Sequence, residues 1–167
     1  RSNVAADVRN HAKAPGFFTL VAGPCVLGNQ CVILFGNVAA GLALWIVGIV
    51  FWLPLSYVML PGLMEGTSKP KLEDGINGAW LLVVVGTQAI SVLACLLAPR
   101  LAVDSPDLGL FVALAFWLVG SMLYLWLIAL IFNRILFLPL TPGDLTPPYW
   151  VNMGGRAIST LAGVRLV

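Results

Sequence analysis

The chain has 167 residues, 60% of them apolar and only 10% charged, with a net charge of +2 and a mean hydropathy of +0.97. Soluble domains carry about a quarter charged residues, so this chain cannot cover a water-facing surface, and the bilayer is its expected solvent. No Lys/Arg run resembles a nucleic-acid arm, and Cys25, Cys31 and Cys95 sit in apolar segments without CxxC spacing, so neither nucleic acid nor a metal or cofactor is expected as a partner.

The chain opens at Arg1, and its last apolar run is still going at Val167, so it reads as an internal piece of a longer membrane protein. Residues 1–16, "RSNVAADVRNHAKAPG", form an interfacial leader. Val4, Val8 and Ala12 can lie among headgroups while Arg9 and Lys13 reach water. His11 has no second His or carboxylate at a useful spacing, so the sequence gives it no ligand or proton role.

Residues 17–167 read as transmembrane, in five apolar runs at about 17–35, 38–60, 79–98, 108–132 and 149–167. Each approaches the roughly 20 residues that a membrane-crossing helix needs, whereas a membrane strand would alternate over about ten. The fold class is therefore all-α integral membrane. In the first run, "AGPCVLG" places Pro24 between Gly23 and Gly28, where it should kink the helix and free a carbonyl. Pro54 should bend the second in the same way. The fifth run opens with "TPPYW", whose Tyr149-Trp150 pair suits a membrane interface.

Loop charge sets the orientation. Arg1, Arg9, Lys13, Lys69, Lys71 and Arg134 fall on one side and only Arg100 on the other. By the positive-inside rule the leader is cytoplasmic, and a plasma or inner membrane is the expected location.

Two segments recur. "VVVGTQAISVLA" (83–94) matches "VNMGGRAISTLA" (151–162) at seven of twelve positions, in a register that sets Val83 against Val151. "LALWIVGIVFWL" (42–53) matches "LAFWLVGSMLYL" (114–125), in a nearly equal register that sets Leu42 against Leu114. The repeated unit is thus a two-helix hairpin that alternates small, polar odd helices with aromatic even ones. At about 100° per residue, Gly16, Thr19, Gly23 and Gln30 share a face of the first helix. Val84, Thr87, Gln88, Ser91 and Cys95 share one on the third, and Asn152, Arg156, Ser159, Thr160 and Gly163 one on the fifth.

These stripes have two readings: close helix packing through small and hydroxyl residues, or the lining of a path. Arg156 favours the second, since a charge near mid-membrane costs about 2.5–3.5 kcal/mol and typically faces a cavity or partner. Snorkelling to the headgroups is its alternative, and Arg165 suits snorkelling still better. All seven carboxylates lie in the leader or the loops. Cation paths and proton relays usually place acids within the spans. The candidate pore-lining set is Thr19, Gly23, Gln30, Thr87, Gln88, Ser91, Asn152, Arg156 and Ser159, with Pro24 as the kink.

The segments "PGFFTLVAGPCVLGNQ", "KPKLEDGINGAWLL", "LYLWLIALIFNRILFLPL" and "LTPPYWVNMGG", followed by "AIS" after Arg156, resemble the tellurite-resistance/C4-dicarboxylate transporter family, which includes the plant slow-type anion channels. The resemblance implies ten helices in five hairpins around a central pore, odd helices inside and even helices outside, assembled as homotrimers. It implies passage of small anions such as chloride, nitrate or malate, and no catalysis. The five spans would be the family's third to seventh. The family's pore-occluding phenylalanine would fall beyond Val167, and Arg156 stands where relatives carry an apolar residue. Proton-coupled dicarboxylate transport on the same scaffold, a structural subunit and a membrane enzyme stay open. The enzyme lacks any cluster of His, Cys or acids at membrane depth.

Overall fold

The computed structural model describes residues 7–8, 10–65, 70–71, 75–101, 106–139 and 147–166. Those residues are helical apart from short connections, with no strand among them. A 3-10 turn at Ala14–Phe18 leads into the first helix, Thr19–Phe35. Gly36 ends that helix at φ 64°, a left-handed cap that suits glycine. Asn37 then caps the second helix, Val38–Pro54, by accepting a bond from the Ala40 amide at 3.0 Å. Gly36 and Asn37 alone therefore reverse the chain.

After Pro54 the helix widens into a π turn over Leu55–Met59 and continues as Leu60–Glu65. Proline lacks the amide that would close the preceding turn, so a local π adjustment fits the bend expected there. Pro24, by contrast, lies inside a helix that is unbroken from Thr19 to Phe35. Asn77 starts the next segment, with a 3-10 turn at Gly78–Trp80 before the third helix, Leu81–Leu101. The fourth helix is Pro106–Phe137, and a turn at Pro147–Trp150 precedes the fifth, Val151–Leu166.

Four helical stretches are long and apolar enough to cross a membrane: Ala14–Phe35, Val38–Gly62, Gly78–Arg100 and Asp107–Phe137. The fifth helix has 16 residues and carries Asn152, Arg156 and Arg165. The fourth runs on past Phe132 as far as Phe137, with Arg134 in its last turn. Of the leader, residues 1–6 and 9 lie outside the described residues. In its described part Lys13 pairs with Asp7 at 2.9 Å, and Val8 packs on the core.

The third helix is the hub. Its span is 89% buried, against 28% or less for each of the other three. All four other helices pack on it, while the first and fifth hardly touch each other. The second and fourth helices turn apolar faces outward, among them Ile46, Val50 and Phe51 on one and Leu118, Met122 and Leu125 on the other. In lipid such faces need no cover, because the tails are as apolar as the side chains. This is the architecture of an integral membrane protein.

Candidate functional site

The polar stripe of the third helix is fully enclosed: Thr87, Gln88 and Ser91 are each 0% exposed. Their polar atoms face the second and fourth helices. The Thr87 hydroxyl donates to the Val83 carbonyl at 2.8 Å and accepts from Trp52 Nε1 at 2.9 Å. Gln88 Nε2 donates to the Trp117 carbonyl at 3.2 Å and approaches Ser121 Oγ at 3.4 Å. The Ser91 hydroxyl donates to the Ala113 carbonyl at 2.7 Å. An unpaired polar group in hydrocarbon costs several kcal/mol, and these bonds remove most of that cost. Gln88 Oε1 is buried with no hydrogen-bond partner among the described residues.

The Gln88 side chain packs against Gly120. A Cβ there would come within 2.7 Å of Nε2 and 2.8 Å of Cδ, so only glycine lets the side chain cross the fourth helix at this point. Gly48, the counterpart of Gly120 in the earlier hairpin, plays the same part for Cys25 of the first helix, whose Sγ would stand 2.6 Å from a Cβ.

Other bonds also recur. Trp45 Nε1 donates to the Ile90 carbonyl at 3.1 Å, and Trp117 Nε1 to the Ser159 carbonyl at 3.0 Å. Trp52 meets Thr87, and Tyr124, the counterpart of Trp52 in the later hairpin, donates its hydroxyl to Asn152 Oδ1 at 3.0 Å. The receiving carbonyls set Ile90 against Ser159, whereas the identity match sets Ile90 against Ile158. The glycine contacts make the same one-residue step. Gly86 abuts Phe18 and Val21 of the first helix, and it is Gly155, not its sequence counterpart Gly154, that abuts Val85 of the third. One residue is about 100° of helix, so residues that align in sequence point in different directions on the two helices.

That rotation places the fifth-helix candidates. Asn152 and Gly163 meet Tyr124 and Trp117 of the fourth helix. At about 100° per residue they stand roughly 60–80° to one side of Gly155, and Arg156 stands roughly 100° round on that same side. Gly154, Ile158 and Arg165 lie on the opposite flank. Arg156 is exposed, and among the described residues it has no ion pair. Ser159 is half-buried, and its hydroxyl donates to the Gly155 carbonyl at 2.8 Å. On the first helix Thr19, Gly23 and Gln30 are all exposed, opposite the buried line of Val21, Cys25, Gly28 and Val32. The nine candidates thus fall into three groups: buried ties on the third helix, an open face on the first, and a mixed set on the fifth.

The sequence reading missed Arg134. It is 6% exposed, and Nη1 donates to the Ile76 carbonyl and the Tyr149 hydroxyl, both at 2.6 Å. One guanidinium therefore joins the fourth helix to the entrances of the third and the fifth. The available signal was "IFNRILF", an arginine with apolar residues on both sides that loop counting treated as a terminal charge. Nearby, Asn77 Nδ2 donates to the Ala12 carbonyl and Trp80 Nε1 to the Gly75 carbonyl, which knits the leader to the same entrance. A crevice of about 240 Å³ opens there between His11, Lys71, Trp80 and Leu130.

No group of His, Cys, Asp or Glu among the described residues could hold a metal ion. No solved structure matches the chain. An uncharacterized transporter of Methanocaldococcus jannaschii is 24% identical over 165 residues, covering 99% of this chain and 48% of that protein. An uncharacterized membrane protein of Mycobacterium tuberculosis is 53% identical over 45 residues, 27% of this chain and 23% of that protein. The chain therefore spans about half the length of the first relative and matches the second over one segment. The family described as SLAC1, voltage-dependent anion channel, matches residues 1–167. With its membrane-length helices and its match across the whole chain, this protein belongs to the SLAC1 family.

Proposed function

We propose that this chain supplies part of a passive path for small anions, either inorganic anions or C4-dicarboxylates such as malate. The path runs between the first, third and fifth helices, within a ten-helix, five-hairpin bundle that the full-length protein completes. The observation that carries the reading is the sign of the charges. Among the described residues the only acid within the membrane-length stretches is Asp107, exposed at the very start of the fourth, whereas the third and fifth helices both carry an arginine in the last turn. A path without carboxylates repels no anion, and neutral hydrogen bonders hold one weakly enough to release it.

In this reading the lining comes from Thr19, Gly23 and Gln30 of the first helix and from the flank of the fifth turned away from the fourth. Thr87, Gln88 and Ser91 act as ties that fix the third helix against its outer neighbours. The Asn152 side chain and the Ser159 main-chain carbonyl do the same on the fifth. The apolar outer faces of the second and fourth helices meet lipid or neighbouring subunits of a homotrimer.

The test is flux from proteoliposomes holding the full-length protein, with chloride or malate as the gradient and equal pH on both sides. Flux down the gradient is the expected result. Flux that appears only when a proton gradient is imposed would replace a channel with a coupled carrier.

A further inference from the structure

Two arginines close the odd helices at one end of the bundle: Arg100 in the last turn of the third and Arg165 in the last turn of the fifth. The two helices are separated by a single antiparallel span, so both arginines reach the same side of the membrane. It is the side opposite the leader, where the loops carry almost no other cation.

Their directions agree as well. On the third helix Gly86 and Leu93 meet the first helix, through Phe18 and Gly28 respectively, and Val85 meets the fifth through Gly155. At about 100° per residue, Leu82, Ala89, Leu96 and Arg100 fall in the arc between those two contacts. On the fifth helix Arg165 stands roughly 80° from Gly155, on the flank away from the fourth helix. Both arginines thus overlook the space between the first and fifth helices.

Both are exposed, and neither makes an ion pair among the described residues. Arg100 Nη1 donates to the Leu96 carbonyl at 2.9 Å, which folds the guanidinium back over a residue of the same arc. Among the described residues the acid at this end is Asp107, exposed in the first turn of the fourth helix. That helix meets the third through Gly109 and Ala98, outside the arc.

We infer that Arg100 and Arg165 form a cationic collar at the mouth opposite the leader, which concentrates small anions for the path proposed above. Arg156, on the fourth-helix flank, is not part of it. A cleft lined by one sign of charge raises the local concentration of its counter-ion, and salt screens the effect over about 10 Å at roughly 0.1 M.

The inference rests on the transport reading for its purpose but not for its geometry, so two measurements separate them. The first uses the full-length protein carrying Arg100→Cys and compares its rates of modification by an anionic and a cationic thiol reagent. Adding Arg165→Gln should lower the anionic-to-cationic ratio about threefold at low ionic strength, and Arg165→Lys should preserve it. A ratio that Arg165→Gln leaves unchanged would overturn the collar, whether or not anions cross. The second measures chloride flux with Arg100 and Arg165 both changed to Gln. The half-saturating concentration should rise about three- to tenfold in low salt, with the difference closing at high salt. If the reagent ratio falls as expected but the wild type carries no flux, the collar stands and the transport reading fails.

Discussion

The third and fifth helices carry the same small, half-polar phrase and put it to different uses. On the third, every polar side chain of that phrase is buried and directed at an outer helix; on the fifth, Asn152 and Ser159 are half-buried and Arg156 and Thr160 are exposed. A one-residue shift in contact register produces part of this difference, because it turns corresponding side chains by about 100°. Flanking helices produce the rest. The third helix is packed by four neighbours, whereas among the described residues the fifth packs mainly on the third and fourth helices and on the entry turn of the third. Similar sequence therefore does not mark a shared role for each side chain.

Several changes would break or sharpen this contrast. The largest effect belongs to Gly120→Ala, which drives the Gln88 amide from its seat and leaves it buried without its bonds. Overpacking costs about 1–3 kcal/mol, and an unsatisfied buried group about as much again. The full-length protein should lose on the order of 3 kcal/mol, visible as a lower unfolding temperature in detergent. Gly154→Ala, where a Cβ would meet nothing within 4 Å, should be silent in the same assay.

Next comes Arg134→Met, which keeps the apolar stem but removes the links to Ile76 and Tyr149. Losing bonds from a charged donor costs roughly 1.5–3 kcal/mol each, partly offset because no buried charge remains. Hydrogen exchange should rise first at the amides around positions 75–80 and 147–151.

Trp52→Phe removes one bond to Thr87 while keeping most of the ring. Interhelical bonds in membranes average about 0.6 kcal/mol, so a loss of about 1 kcal/mol is expected, with Tyr124→Phe similar on the fifth helix. Adding Thr87→Val to Trp52→Phe should cost less than the sum of the two single changes, because the pair shares one bond.

The smallest effect is assigned to Arg156→Gln. Pointing to the fourth-helix flank, Arg156 should leave anion flux within about twofold of wild type, the modest change expected where salt and distance screen a charge. A larger fall would place Arg156 on the path and reverse the contrast between the two flanks of the fifth helix.

The elements themselves were readable because membrane length and hydropathy leave few alternatives. The first to fourth spans and the Gly36-Asn37 reversal follow from apolar runs and turn chemistry alone. The recurrence of Trp45 and Trp117 likewise pointed to equivalent outer helices. Direction was harder to read. A polar stripe states that a face needs partners, but Thr87, Gln88 and Ser91 found theirs on outer helices, a fact carried by Gly120 and by carbonyls with no sequence signature. Arg134 escaped for a related reason: its acceptors are a carbonyl at Ile76 and a hydroxyl at Tyr149, remote in sequence and unlike in type.

The tryptophan bonds have a consequence for how such a protein can change over generations. Trp45 and Trp117 donate to main-chain oxygens, which every amino acid possesses. The third and fifth helices can therefore exchange side chains on their free flanks without loosening their grip on the second and fourth. In the reading proposed above, anchorage is written in the second and fourth helices and selectivity in the third and fifth, so descendants could retune what passes while inheriting the scaffold intact.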